Sequence, residues 1–266
     1  MNNIYQIMNR DSYYGNHYEN RTPPFYYFDA NNKIVSNGYY RVTTDQEGWK
    51  VEFLQSGTLI FTEEVPECLD VFLVGGGAGG IAGASSAYGN GGSGGYTKRG
   101  IVALDKNSRT YEIKIGAGGS ANGGAGGETS AFGLTAKGGE AKGNGGSGGG
   151  MAGSSSINGG AGGSNGDNGA TTTVPAYTHF FGQGFTTAEF YEKNGKLYAG
   201  GGGGGGQTGG ASSDGGGAGG SGTSANGTNA KANTGGGGGG CYNGKTAGKG
   251  GSGIVIIRNP RITTTN

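Results

Sequence analysis

Cysteine, histidine, proline and charge are all scarce in this 266-residue chain, and each shortage closes a class of protein. Two cysteines, Cys68 and Cys241, are too few for a disulfide framework; the sequence leaves open a bridge between them, though nothing in it supports one, and two unpaired thiols are the reading preferred. The two histidines, His17 and His179, stand far apart and at no metal-ligand spacing to the cysteines. Net charge is +1 without a basic cluster, which argues against nucleic-acid binding, because that needs several cations on phosphates. No apolar run approaches the ~18 residues of a membrane span, so no membrane insertion is expected. The opening "MNNIYQIMNRDSYYG" lacks a basic stretch followed by an apolar one, so no signal peptide is expected.

What is abundant is glycine. Of 69 glycines only Gly15, Gly38, Gly48 and Gly57 precede residue 75. An aromatic-rich front is therefore joined to a glycine-rich body. The division expected is an aromatic N-terminal segment over 1–47, one glycine-rich domain over 48–260 and a short tail over 261–266.

The junction "DVFLVGGGAGGIAG" carries a G-x-G-x-x-G pattern at Gly75, Gly77 and Gly80 after an apolar strand. That pattern opens dinucleotide-binding folds when a helix follows and offers its N-terminus to the pyrophosphate. Here "IAGASSAYGNGGSGG" follows, and each interior glycine costs a helix about 0.5–1 kcal/mol against alanine. No stable helix can form, so the fingerprint is a decoy and no cofactor is expected. Other chemistry is thinner. No G-x-S-x-G elbow occurs, and "SNGDNG" around Asp167 offers one acid where calcium wants about six to eight oxygens. No enzyme activity is expected.

Irregular glycine spacing, with Pro175 the sole proline between 75 and 253, excludes a collagen helix. Disorder is opposed by strand-like sequences that bracket and interrupt the glycines. They are 48–65, 68–76, 94–104, 109–119 and 252–260, alternating or continuously apolar. Strands this apolar need partners, so the C-terminal one is predicted to return to the sheet of the first. Within "WKVEF", Trp49, Val51 and Phe53 share a face, predicted to pack with Val71, Leu73 and Ile256. The all-glycine runs 200–206 and 235–240 are predicted to be extended helices of the polyproline II type, lying side by side and hydrogen-bonding to one another. The fold class is thus all-β: a β-sandwich with long glycine-rich insertions forming a bundle of polyglycine II helices.

The ordered series "LVGGGAGG", "GGYTKRGIVAL", "YEIKIGAGG", "GGETSAFGLTAKGG", "LYAGGGGGGG" and "GGSGIVIIR" resembles the glycine-rich domain at bacteriophage tail-fibre tips and in prophage structural proteins. It is also similar to the glycine-rich extracellular region of anaplastic lymphoma kinase. The likeness covers about residues 48–260 and implies the sandwich-and-bundle fold. It further implies a virion adhesin, assembled in the host cytoplasm and acting outside, whose loops bind a host cell-surface receptor, either a protein loop or a glycan. The alternative is a virion decoration or connector protein using the bundle as a rigid spacer. Two stretches depart from the pattern. The connector 170–195 is long and aromatic, and residues 1–47 have no counterpart.

Bare glycine helices offer only backbone, so recognition must come from the connectors. Tyr88, Tyr177, His179 and Tyr242 are the receptor-binding candidates, as rigid groups able to stack on a sugar or grip an apolar loop. Phe180 and Phe181 read more simply as tucking their connector against the bundle. Tyr13, Tyr14, Phe25, Tyr26 and Tyr27 are candidate anchors onto other virion proteins, since tyrosine favours interfaces. The alternative for residues 1–47 is a hairpin or strap on this protein's own sandwich. A homo-oligomer is compatible with either.

Overall fold

The computed structural model describes residues 22–45, 48–140, 142–174 and 180–261. Ten strands carry the fold, with one short 3-10 turn at Glu189–Tyr191. In chain order they are β1 (Phe25–Phe28), β2 (Tyr40–Asp45), β3 (Gly48–Phe53), β4 (Gly57–Phe61) and β5 (Cys68–Val74). These are followed by β6 (Thr97–Ala103), β7 (Thr110–Lys114), β8 (Thr129–Ala131), β9 (Leu134–Ala136) and β10 (Ile254–Arg258). They form two antiparallel sheets, ordered β1-β4-β7-β8-β9 and β2-β3-β10-β5-β6. The chain's last strand does return to its first long ones: β10 sits between β3 and β5.

Period-two alternation explains which side chains meet between the sheets. Ile257 lies opposite Val51 and Val71, and Val255 opposite Phe53 and Leu73, so the inward rows of three strands are in step. With Trp49, Tyr27, Leu59, Phe61 and Ile113 they form the main core. Ile256 does not join it, contrary to the sequence expectation. It stands opposite Glu52 and Phe72 and packs outward with Phe72, Val74 and Ile254. The cause is parity: Val255 and Ile257 already occupy the inward row of β10.

That second face is apolar because the connector covers it. Phe190 and Tyr198 close over Phe72, each with its ring centroid 5.8 Å away. Buried Asp70 receives Arg258 at 2.8 Å and Arg99 at 2.9 Å, and the Arg258 guanidinium lies 3.7 Å from the Phe190 ring centroid. A buried charge is tolerated only when paired in this way. The stretch 187–198 is therefore a clamp on the sandwich. Phe190 (φ 52°) and Tyr191 (φ 57°) hold left-handed backbone to make the turn, a strain that the packing must offset.

The first 47 residues are not separate from the sheets where they are described. β1 pairs with β4 and β2 with β3. The alternative of a hairpin on the protein's own sandwich matches what residues 25–45 do.

Three glycine-rich excursions leave the same end of the sandwich, over 75–96, 115–128 and 137–253. Their backbone hydrogen bonds follow a rule. Gly76 and Gly79 donate to Gly127 and Gly124, Gly77 and Gly80 to Gly251 and Gly248, and Ala78 and Ile81 to Ser93 and Asn90. Along 201–206 the same rotation recurs: Gly201 and Gly204 donate to Gly163 and Gly160, Gly202 and Gly205 to Gly92 and Gly89, Gly203 and Gly206 to Gly217 and Gly220. Donor directions repeat every third residue, and the partner also shifts by three, backwards along an antiparallel neighbour and forwards along a parallel one. A strand would give two directions, not three. The amides that a dinucleotide fingerprint would turn to phosphate are all engaged within the chain.

Such packing requires glycine by proximity. A Cβ on Gly203 would fall on the carbonyl oxygen of Gly210, and one on Gly237 on that of Gly92. Residues 235–241 have neighbouring segments all around them, from 77–81, 89–95, 200–203, 217–220, 228 and 248–252, which explains why that run is bare.

Candidate functional site

The excursions turn back at the end opposite the sandwich, and their turns adjoin one another. Gly83 and Gly89 both donate to the Cys241 carbonyl, at 3.0 and 2.9 Å, which closes the loop 84–88 against segment 241–243. Gly205 donates to Gly89, and Gly153 to Gly205, which brings in the loop 154–158. Gln207 donates to Ile157, and Gly206 forms a bridge with Ser221. One continuous surface results, built from loops far apart in sequence.

Its exposed side chains include the neutral hydroxyl and amide groups of Ser85, Ser86, Ser155, Gln207, Thr223 and Asn243, with Lys245 half-buried among them. Ser85 (φ 47°) and Ser86 (φ 63°) take left-handed backbone at the turn. The chemistry such groups offer is hydrogen bonding in both senses without charge, suited to hydroxyl-bearing or amide-bearing partners.

Two of the four sequence-derived candidates meet here. Tyr88 and Tyr242 are bridged through their backbones, and their rings pack edge to face with centroids 5.0 Å apart. Tyr88 is only 3% exposed, however, whereas Tyr242 is half-buried with one side open. Tyr177 and His179 lie outside the described residues. Phe180 is buried, in keeping with a tucking role, while Phe181 is 47% exposed. Sequence reasoning missed the hydroxyl and amide groups of 207–208 and 221–226. Their only signal was interruption of the glycine runs.

Cys241 is buried beneath this surface, and burial pushes its thiol above the ordinary range, so it stays protonated and unreactive. Cys68 opens β5 at the far end of the sandwich. The length of β5 and of segment 75–81 separates the two cysteines, far beyond disulfide reach.

The anchor candidates divide similarly. Tyr27 is wholly buried, its hydroxyl donates to the Gln55 carbonyl at 2.7 Å, and burial drives its phenol well above the usual range. Phe25 is half-buried against Tyr40, with ring centroids 5.1 Å apart. Tyr26 alone of the three faces solvent, at 52% exposure, beside Ile34 at 57%. Tyr13 and Tyr14 lie outside the described residues.

A chain of antiparallel strands whose insertions are held by backbone hydrogen bonds defines a glycine-rich β protein. It belongs to the glycine-rich domain family, whose model matches residues 55–260. No curated protein matches the chain.

Proposed function

We propose that this protein is a non-enzymatic bacteriophage virion component, a tail-fibre tip adhesin that presents receptor-binding loops on a bundle of polyglycine II helices. The observation that carries the reading is the convergence of loops 84–88, 154–158, 207–208, 221–226 and 242–246 at the end remote from the sandwich. A receptor-binding tip needs a stiff stalk and a composite end, and this arrangement supplies both. The threefold rotation of donors is what a helix of three residues per turn would give, and it is the support for polyglycine II geometry.

The partner is a host cell-surface receptor, a protein loop or glycan, met by Tyr242 and the hydroxyl and amide groups around it. The protein is assembled in the host cytoplasm and acts outside on the virion. Attachment to other virion proteins runs through the aromatic N-terminal segment, for which the outward Tyr26 and Ile34 are the support. The spacer reading is favoured by one observation: Tyr88 is buried against Tyr242, as a structural lock would be. Adding purified protein to host cells before phage separates the two. An adhesin blocks adsorption in a dose-dependent way, and a spacer leaves adsorption unchanged.

A further inference from the structure

The sandwich is open at one corner, away from the loop surface. The β8–β9 hairpin pairs with β7 only at Ile113 and Lys114, so the backbone of Thr110, Tyr111 and Glu112 is unpaired on that side. On the opposite sheet the edge strand β6 runs past Val102 into Leu104 and Asp105. Between them lies a cleft of about 680 Å³, within the range of small-molecule sites.

Its lining has three notable properties. The first is apolar surface left uncovered: Val102, Leu104, Tyr111, Phe132 and Leu134 rest on the main core yet remain only half-buried. Gly100 in β6 makes room for the Leu134 side chain, which its own Cβ would crowd, so the hairpin is held close to β6 at that level. Second, Tyr111 and Phe132 form an aromatic corner, with ring centroids 5.1 Å apart and planes tilted by 38°.

Phe132 reaches that corner at a conformational cost. It occupies the two-residue hairpin turn with φ 51°, followed by Gly133 at φ 76°. Positive φ at both positions is the type I′ signature, which favours asparagine before glycine. An aromatic residue there opposes local preference, and such strain is retained where a site uses it.

The third property is charge. Asp105 lines the cleft, whose lining contains no lysine or arginine, while Glu112 borders it by its backbone and turns its side chain to the outer face of β7. Of the neighbouring cations, Lys106 pairs with Glu67 at 2.8 Å, Arg109 donates to the Thr62 carbonyl at 3.1 Å, and Lys114 stands on the outer face of β7 with Glu112. Burial, and then the Asp105 charge, raise the Tyr111 phenol above its usual range, so this ring stays neutral.

We propose that the cleft binds a small organic ammonium cation, with the alkylated nitrogen against the Tyr111 and Phe132 rings and Asp105 as counter-charge. Aromatic faces attract alkylammonium groups, and the Asp105 carboxylate beside Tyr111 adds attraction at short range. An anion would be repelled, and a neutral sugar would gain nothing from the net charge. The inference goes beyond the adhesin reading and stands whichever role the loop surface has.

The test uses choline chloride as probe, with its uncharged carbon isostere 3,3-dimethylbutan-1-ol and methyl glucoside as comparators. Binding is followed by titration calorimetry and by amide shifts at Phe132 and Gly133. Choline should saturate the site, with the isostere weaker by about tenfold. Asp105→Asn should weaken choline by about threefold to tenfold with melting unchanged, whereas Glu112→Gln, on the outer face of β7, should leave binding as it is. Phe132→Asn is the decisive variant. It should raise the melting temperature, because asparagine suits the turn, and abolish choline binding. A merely structural Phe132 would not move those two readouts in opposite directions. Equal binding of the isostere, preference for methyl glucoside, or no saturable binding of choline would each overturn the proposal.

Discussion

The sandwich and the glycine body are stabilised by opposite means. Between the sheets, Trp49, Val51, Phe53, Val71 and Leu73 exclude water with large side chains, and the backbone bonds run in two directions. In the body, the packed glycine runs carry no side chains and their backbone groups bind neighbours in three directions. The first region tolerates no loss of side-chain volume, and the second tolerates no gain. Glycine's entropic penalty on ordering is large, so the second design works only when its ends are fixed. The strands fix them: each excursion begins and ends on a strand, and the clamp over Phe72 secures the sheet that holds β5 and β10.

This contrast can be broken at graded strengths. The largest effect is expected for Gly237→Val. Overpacking onto Gly92 and stranding of the bonds to Gly200 and from Gly217 together should cost about 5 kcal/mol or more. Chemical denaturation would measure it, and Gly203→Val should behave alike. A neutral result at both sites would mean that the body is not packed.

Trp49→Ala comes next, at about 3–5 kcal/mol, from loss of a large side chain that is 1% exposed in the core. Its fluorescence in the folded protein should be blue-shifted from that of solvated indole. Asp70→Asn should cost about 3 kcal/mol, because it removes the fully buried carboxylate shared by Arg258 and Arg99 and leaves buried Arg258 only the partly exposed Glu192. The loss should appear as earlier release of the connector, read by proteolysis near residue 190.

Gly222 sharpens the comparison from the other side. It has φ 60° and nothing within 4 Å of an added Cβ, so Gly222→Ala meets only the left-handed backbone penalty of about 1–2 kcal/mol. A glycine needed for conformation is thus distinguished from one needed for proximity. The smallest effect is alkaline. Burial raises the phenols of Tyr27 and Tyr198, so the folded state holds their protons more tightly than the unfolded chain does. Their stabilising contribution is complete below about pH 10 and declines as the unfolded phenols ionise above it. Melting temperatures from pH 8 upward would show this fall.

The same contrast decides what the sequence discloses. β3, β5 and β10 are legible because alternation or continuous apolarity marks them, and their return to one sheet follows from their need for partners. β1 and β2 are not, because "FYYF" and "YRVTTD" mix amphipathic tyrosines with polar residues and read equally as an interface. β8 and β9, at three residues each, are too short for any period to show. The side of β10 that Ile256 takes depends on register, and a one-residue difference reverses it. At the loop surface, the connectors are visible as interruptions. The pairing of Tyr88 with Tyr242 is not, since it arises from backbone bonds between Cys241 and residues 83 and 89.

The central claim is that the bare runs 200–206 and 235–240 are ordered by backbone hydrogen bonds as firmly as the strands beside them. Amide hydrogen exchange tests it most directly, because glycine has no side-chain signal to confuse the reading. The account predicts that amides of Gly201–Gly205 and Gly237–Gly240 exchange as slowly as those of Val71–Leu73 and Val255–Ile257, opening only with the whole domain. Exchange of the glycine amides at unfolded-chain rates, while the strands stay protected, would contradict it.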